Sequence, residues 1–124
     1  MIVGIGIDIV EIRRISRALQ GTQGMEGKVF TEAEIAFCSK RKNKYQHFGG
    51  RFAAKEAALK ALGTGWSQGI RWKDVEITND DSGKPILALH GKALEFFEQS
   101  GAGKTWVSIT HSSEHAVGVV VLEK

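Results

Sequence analysis

Cysteine and proline are nearly missing from the chain: its 124 residues hold one of each, Cys38 and Pro85. A lone cysteine cannot close an internal disulfide, which excludes a secreted disulfide scaffold and a cysteine-rich zinc site. No apolar run approaches the ~20 residues that span a bilayer, so no membrane partner is expected. The opening Met1-Ile2-Val3-Gly4-Ile5-Gly6-Ile7-Asp8 has no basic lead-in and meets a carboxylate early, which argues against a signal peptide and for a cytoplasmic protein. Charge of one sign is also scarce. With 17 Lys+Arg against 14 Asp+Glu the net charge is +3, too slight to mark a nucleic-acid binder, although it favours an anionic partner. The 42% of hydrophobic residues and the lack of linkers or repeats predict one globular domain over residues 1–124.

What is present falls into two periodicities. Val3, Ile5, Ile7 and Ile9 alternate with Gly4, Gly6 and Asp8, a period of two that predicts a strand. Its β-branched face is expected to be buried, while the glycine face admits the close approach of a ligand or another backbone. From Val10 the period lengthens: Ile12, Ile15 and Leu19 fall at helical spacing, with Arg13, Arg14 and Arg17 between them and Gly21 as the stop. Thr31 and Glu34 form a capping box, flanked by a Phe30–Ile35 staple, that opens a second helix ending in the basic stretch 39–44.

A longer helix is predicted from about Gln46 to Leu62, ended by Gly63. Its apolar stripe is Phe48, Phe52, Leu59 and Leu62, and Ala53, Ala54, Ala57, Ala58 and Ala61 keep it slim enough to form the centre of the core. Paired strands are predicted at 74–77 and 86–89 around a turn-rich loop, and a short helix over 91–100 turns Leu94 and Phe97 inward. Segments 105–110 and 116–122 close a final hairpin. Hairpins among irregularly alternating helices predict an α+β fold: a small antiparallel sheet packed around a long central helix.

Several residues could carry chemistry. Gly4-x-Gly6-x-Asp8 lacks the third glycine of a dinucleotide fingerprint and sits inside a strand, so close packing on the long helix explains it as well as a ligand does. Glu56 and Lys60 stand four apart on one helix face. The plain reading is a solvated pair worth about 0.3–0.5 kcal/mol, but Ala53 and Ala57 beside it suit close approach better than solvation. If Asp8 packs opposite Glu56, two carboxylates and a lysine converge, and such a hard-oxygen set suits Mg²⁺ completed by substrate phosphates. His111 and His115 straddle a predicted turn with no HExxH glutamate, so His111 is left as an anion donor or a turn residue. Ser108, Ser112 and Ser113 lack a nucleophile elbow. Arg13, Arg14 and Arg17 form either a solvated face or a docking stripe for an acidic partner.

Gly4-Ile5-Gly6-Ile7-Asp8-Ile9-Val10-Glu11 resembles the opening of the bacterial holo-[acyl-carrier-protein] synthases, and residues 50–65, from Gly50-Arg51-Phe52 to Gly63-Thr64-Gly65, resemble their central helix and following loop. The likeness continues through Asn79–Pro85 and Val107–Ser112, so it covers nearly the whole chain in order. It implies the 4′-phosphopantetheinyl transferase fold and activity: transfer of the phosphopantetheine arm of coenzyme A to a serine of apo acyl carrier protein, with release of adenosine 3′,5′-bisphosphate. It also implies a homotrimer with sites between subunits. By motif position Asp8 and Glu56 would hold Mg²⁺, and Lys60 would face the pyrophosphate. Arg51, Gly63, Gly65, Lys84, Pro85 and His111 would line the coenzyme A site with Lys60. Glu56 and Lys60 would be the catalytic pair, with Glu56, Asp8 or a water at the metal as the acceptor of the serine proton. Arg13, Arg14 and Arg17 would dock the carrier. Two positions depart from the commoner pattern: Glu32 follows Thr31 where many relatives have proline, and His90 replaces a small polar residue. Two rival readings stand beside this one: a non-catalytic basic module using Arg13, Arg14, Arg17 and 40–44, and another Mg²⁺ enzyme of nucleotide pyrophosphates. The first leaves Asp8, Glu56 and Lys60 without a role.

Overall fold

Gly4 and Gly6 decide how the first strand is used. The computed structural model describes residues 1–124, with β1 at Ile2–Glu11 and a 19-residue helix α4 at Lys44–Leu62. A side chain at Gly6 would overlap the carbonyl oxygen of Ala57, and one at Gly4 would overlap that of Ala61. On β5 (His115–Glu123), a Cβ at Gly118 would come within 2.6 Å of the Ala54 nitrogen. The alanines of α4 and the glycines of two strands thus let backbone lie on backbone, and Ala53, Ala54, Ala57 and Ala58 are fully buried between them.

This packing reverses the sequence-based expectation for β1. The glycine face, not the isoleucine face, is turned to the core, and Ile5, Ile7 and Ile9 are 60–66% exposed. A period of two separates the faces of a strand but does not say which one the same chain covers.

Two antiparallel sheets flank α4. The first has the order β1-β5-β4, with β4 at Lys104–His111, and the second pairs β2 (Val75–Asn79) with β3 (Pro85–Leu89). In the first, Ile5, Ile7 and Ile9 stand opposite Val121, Val119 and Val117, and Val121 stands opposite Trp106. The outer face of this sheet is therefore an apolar surface open to solvent. The expected α+β architecture with antiparallel pairing is borne out, as two sheets instead of one.

Around this frame lie α1 (Ile12–Gly21), α2 (Met25–Val29), α3 (Glu32–Ser39) and α5 (Gly91–Gln99). The Thr31 capping box forms as predicted, the Glu34 nitrogen donating to Thr31 Oγ1 and the Thr31 nitrogen to Glu34 Oε1. Glu34 then goes further than a cap. It is fully buried and pairs at 2.9 Å with Lys55 of α4, itself fully buried. Leu94, expected inward on α5, is 39% exposed, because Ala93, Phe96 and Phe97 make the inner face instead. Cys38 is wholly buried, and desolvation pushes its thiol up to about 12, which leaves it unreactive.

The contact between α4 and β1 has a measurable cost of disruption. Gly6→Ala should destabilise the fold by about 3 kcal/mol in urea denaturation, because a fixed carbonyl blocks the new methyl. Gly27→Ala, in α2 with open space around it, should change stability by less than about 1 kcal/mol.

Candidate active site

Asp8 shares the glycine face of β1, so the same packing that buries Gly6 carries its carboxylate over the C-terminal half of α4. There Lys60 Nζ donates to Asp8 Oδ1 at 3.0 Å and to the Ile7 carbonyl at 2.9 Å. The Glu56–Lys60 pair at helical spacing is not among the ion pairs; Lys60 turns to the strand instead. Glu56 Oε1 accepts from the indole Nε1 of Trp66 at 3.2 Å. Burial, joined by repulsion from Asp8, holds the Glu56 carboxyl above its usual pKa against the pull of Trp66 and Lys60.

Gly63 caps α4 in the left-handed conformation, its nitrogen donating to Leu59 O, and Gly65 is also left-handed at φ 60°. Both sit where a Cβ would meet nothing, so the loop leaves open space beside Lys60.

No group of three or more His, Cys, Asp or Glu side chains assembles anywhere in the chain. Asp8 and Glu56 are thus a two-carboxylate set of hard oxygens near one lysine, which fits Mg²⁺ shared with a phosphate ligand and does not make a closed zinc cage.

A second group forms on the other side of α4. Arg51 is 4% exposed, lies 4.0 Å over the Phe37 ring and donates through Nη2 to Asn79 Oδ1, while its Nε has no partner. His47, one turn earlier, meets Phe37 edge-on at 5.7 Å and His111 at 5.6 Å. Asn79 in turn holds the β2–β3 loop through Gly83 O, and that loop presents Lys84 and Pro85 at the edge of a cavity of about 230 Å³ that Trp106 also lines. At ~100° per residue, Arg51 is about 180° around the helix from Lys60 and about 140° from Glu56. The structure therefore brings Asp8, Glu56, Lys60, Gly63 and Gly65 together, and Arg51, Lys84, Pro85 and His111 separately. One chain does not unite the two.

Arg13, Arg14 and Arg17 are all exposed on α1, and none enters an ion pair. Arg14 rims a largely apolar cleft of about 610 Å³ that also takes in Ile15, Leu19, Ile9 and Phe52. Phe52 precedes Glu56 by one turn of α4, and neither Asp8 nor Glu56 itself lines the cleft.

The profile of the 4′-phosphopantetheinyl transferase superfamily matches residues 4–120. The chain belongs to this family. The transferase is 50% identical over 125 aligned residues to the holo-[acyl-carrier-protein] synthase of Geobacter sp. (strain M21), each chain being covered completely. Its fold matches the crystal structure of that synthase from Neisseria meningitidis at TM-score 0.87 and 33% identity, over the full length of both. A third relative, the Bacillus anthracis synthase solved in complex with CoA (3′,5′-ADP), matches at TM-score 0.81 and 41% identity, over 99% of this chain and 97% of that one. The expectation of a phosphopantetheinyl transferase enzyme of the holo-[acyl-carrier-protein] synthase type is met.

Sequence reasoning missed His47, Asn79 and Trp66. His47 was legible in principle, since it stands four residues before Arg51 on one helix face. Asn79 and Trp66 are joined to the site only by tertiary contacts.

Burial, then His111, Arg51 and Arg41, lower the pKa of His47 below its usual 6.5. An oxyanion bound among these groups would stabilise the imidazolium and raise that pKa, so binding takes up a proton. Affinity then falls as pH rises through the raised value. Sulfate, whose own charge is constant here, should bind about three- to tenfold more weakly at about pH 7.5 than at pH 5.5. Calorimetry should show most of that slope lost in His47→Gln.

Proposed function

We propose that this transferase moves the 4′-phosphopantetheine arm of coenzyme A to a serine hydroxyl of apo acyl carrier protein in a Mg²⁺-dependent reaction that releases adenosine 3′,5′-bisphosphate. The chain acts as a single domain over residues 1–124, in the cytoplasm. The observation that carries this reading is the Asp8–Lys60 pair beside Glu56, in a family that contains a CoA (3′,5′-ADP) complex.

In this reaction the serine oxygen forms a bond to the phosphorus of the pantetheine phosphate. The bond from that phosphorus to the bridging oxygen breaks, and charge grows on the leaving bisphosphate. Asp8 and Glu56 would hold Mg²⁺, which when bound neutralises the pyrophosphate oxygens. Lys60 commits two of its three N–H bonds to Asp8 and Ile7 and keeps a third for the leaving group. The serine proton needs an acceptor, and Glu56, Asp8 or a water at the metal would serve.

Arg51 and His111, with Lys84 and Pro85, would take the nucleotide end of coenzyme A, and the unpartnered Arg51 Nε is suited to an anion. Because they stand across α4 from Lys60, a complete coenzyme site needs a second copy of the chain. The apolar outer face of the β1-β5-β4 sheet is the surface best suited to join copies, and a homotrimer with shared sites is the assembly we propose. Arg13, Arg14 and Arg17 are unpaired, and Arg14 rims an apolar cleft that reaches Phe52, one turn of α4 before Glu56, which suits an acidic carrier. The rival basic module again leaves Asp8, Glu56 and Lys60 idle.

Incubation with apo carrier, coenzyme A and Mg²⁺, followed by weighing the carrier, should show a gain of one phosphopantetheine. Unmodified carrier across several cognate and foreign carriers would overturn the reading. Asp8→Ala and Glu56→Ala should each cut turnover by about a thousandfold with melting temperatures nearly unchanged. Arg14→Glu should raise the carrier concentration needed and leave that of coenzyme A unchanged, with the difference fading in salt.

Ile7→Asp places a charge in the exposed apolar face without touching the core. Sedimentation should show trimer for the parent protein and monomer for the variant, with activity lost in parallel. A monomeric parent with full activity would refute the shared site.

A further inference from the structure

Glu56 receives a hydrogen bond that the transfer reaction does not require. Its donor, Trp66, lies on the loop after α4, three residues beyond Gly63. The Trp66 ring rests against Trp72 with centroids 3.7 Å apart, and Trp72 stacks on Phe52 at 5.0 Å and 27°. Phe52 is on α4, one turn before Glu56. The four side chains close a ring: from the helix through Phe52, Trp72 and Trp66, and back to the helix through Glu56.

The backbone that carries Trp66 is unusual. Gly63, Gly65, Gln68 and Gly69 all have positive φ, between 60° and 84°, so this loop has little regular structure of its own to fix it. The aromatic stack supplies that anchorage, and the indole reaches the carboxylate from a held position. An indole N–H can only donate and carries no charge. It can fix one carboxylate oxygen without neutralising the group or competing for a cation, and the hydrogen bond engages Oε1, leaving Oε2 for another partner.

We propose that Trp66 is a positioning residue: its indole, clamped by Trp72 and Phe52, presets the Glu56 carboxylate for a divalent cation. The inference rests on the reading of Asp8 and Glu56 as the Mg²⁺ pair. Groups that orient a metal ligand from behind contribute about 10–100-fold to affinity, and a single neutral donor belongs at the lower end.

The test is ¹H–¹⁵N spectroscopy of the three indole groups of the intact protein, with Mg²⁺ titrated at fixed coenzyme A. Trp66→Phe assigns the Trp66 signal by its disappearance. That signal should move with Mg²⁺ in the parent protein and stand still in Glu56→Ala. Trp66→Phe, which keeps a ring but loses the donor, should raise the Mg²⁺ needed for half-maximal turnover about tenfold. The limiting rate at saturating Mg²⁺ should change far less, a split that general damage to the fold would not produce. If Trp66→Phe does not fold, Trp72→Phe and Trp106→Phe make the assignment by elimination and the parent titration decides. An indole signal indifferent to Mg²⁺ while the Asp8 and Lys60 amides respond would overturn the role of Trp66 and leave the metal pair intact. A Mg²⁺ requirement within twofold of the parent in Trp66→Phe would do the same. Amides at Asp8, Glu56 and Lys60 that ignore Mg²⁺ altogether would sink the metal reading, and this inference with it.

Discussion

A helix laid directly on glycine is the constraint on which the rest of the molecule depends. Gly4, Gly6 and Gly118 present bare backbone to the alanine face of α4, and nothing larger than hydrogen fits at the contact. Two results follow at once. The β-branched side chains of β1 have no place inside and are sent outward, where they line up with Val117, Val119 and Val121 as an apolar face. Asp8, on the glycine side but past the end of the tight contact, is carried to Lys60. The exposed apolar face and the Asp8–Lys60 contact thus come from one choice of which strand face to bury.

The long helix then separates functions around its circumference. Glu56 and Lys60 look toward β1, while His47, Arg51 and Lys55 look toward α3 and β2. The first side carries two carboxylates and one lysine, partly open to solvent. The second stacks Arg41 and Arg51 on the Phe37 ring, with the buried Glu34 carboxylate close enough to act on Arg51. Asp8, Glu56 and Lys60 are thus separated from Arg51 and His47 by the width of one helix.

Most local signals are legible in the sequence, and most long-range partnerships are not. The Thr31–Glu34 box, the stop at Gly63 and the β2–β3 turn depend on neighbours a few residues away, and all three formed as expected. The facing of β1 depends on a contact distant in sequence: Gly4 and Gly6 fit against the backbone of α4, where isoleucine would not. Leu94 failed for a related reason, since two faces of α5 carry apolar residues and contact alone chose Ala93, Phe96 and Phe97. The short helix α2 follows two glycines and has too few residues to show a period. Asp8, Glu56 and Lys60 were legible as a candidate set because strand and helix periods put each on a definite face. Trp66, Asn79 and the partnership of Glu34 with Lys55 were not, since nothing local links residues 10 to 28 positions apart.

The Glu34–Lys55 pair has a consequence for how this sequence can change over time. A buried ion pair can often be exchanged for apolar side chains with little loss, provided both members change together. Here that route is closed. Lys55 also donates to the carbonyls of Trp72 and Val75, and Glu34 also accepts from the amides of Thr31 and Ile77. Four main-chain groups from three separate segments look to these two side chains for their hydrogen bonds. Replacing the pair with leucine and methionine would cancel the charges and strand the backbone, at about 1–3 kcal/mol for each group left without a partner. Inheritance is therefore locked in both directions: one substitution isolates a charge, and two isolate the chain itself. Drift can pass this point only by redrawing the backbone of α3, β2 and the turn between α4 and β2 in the same step.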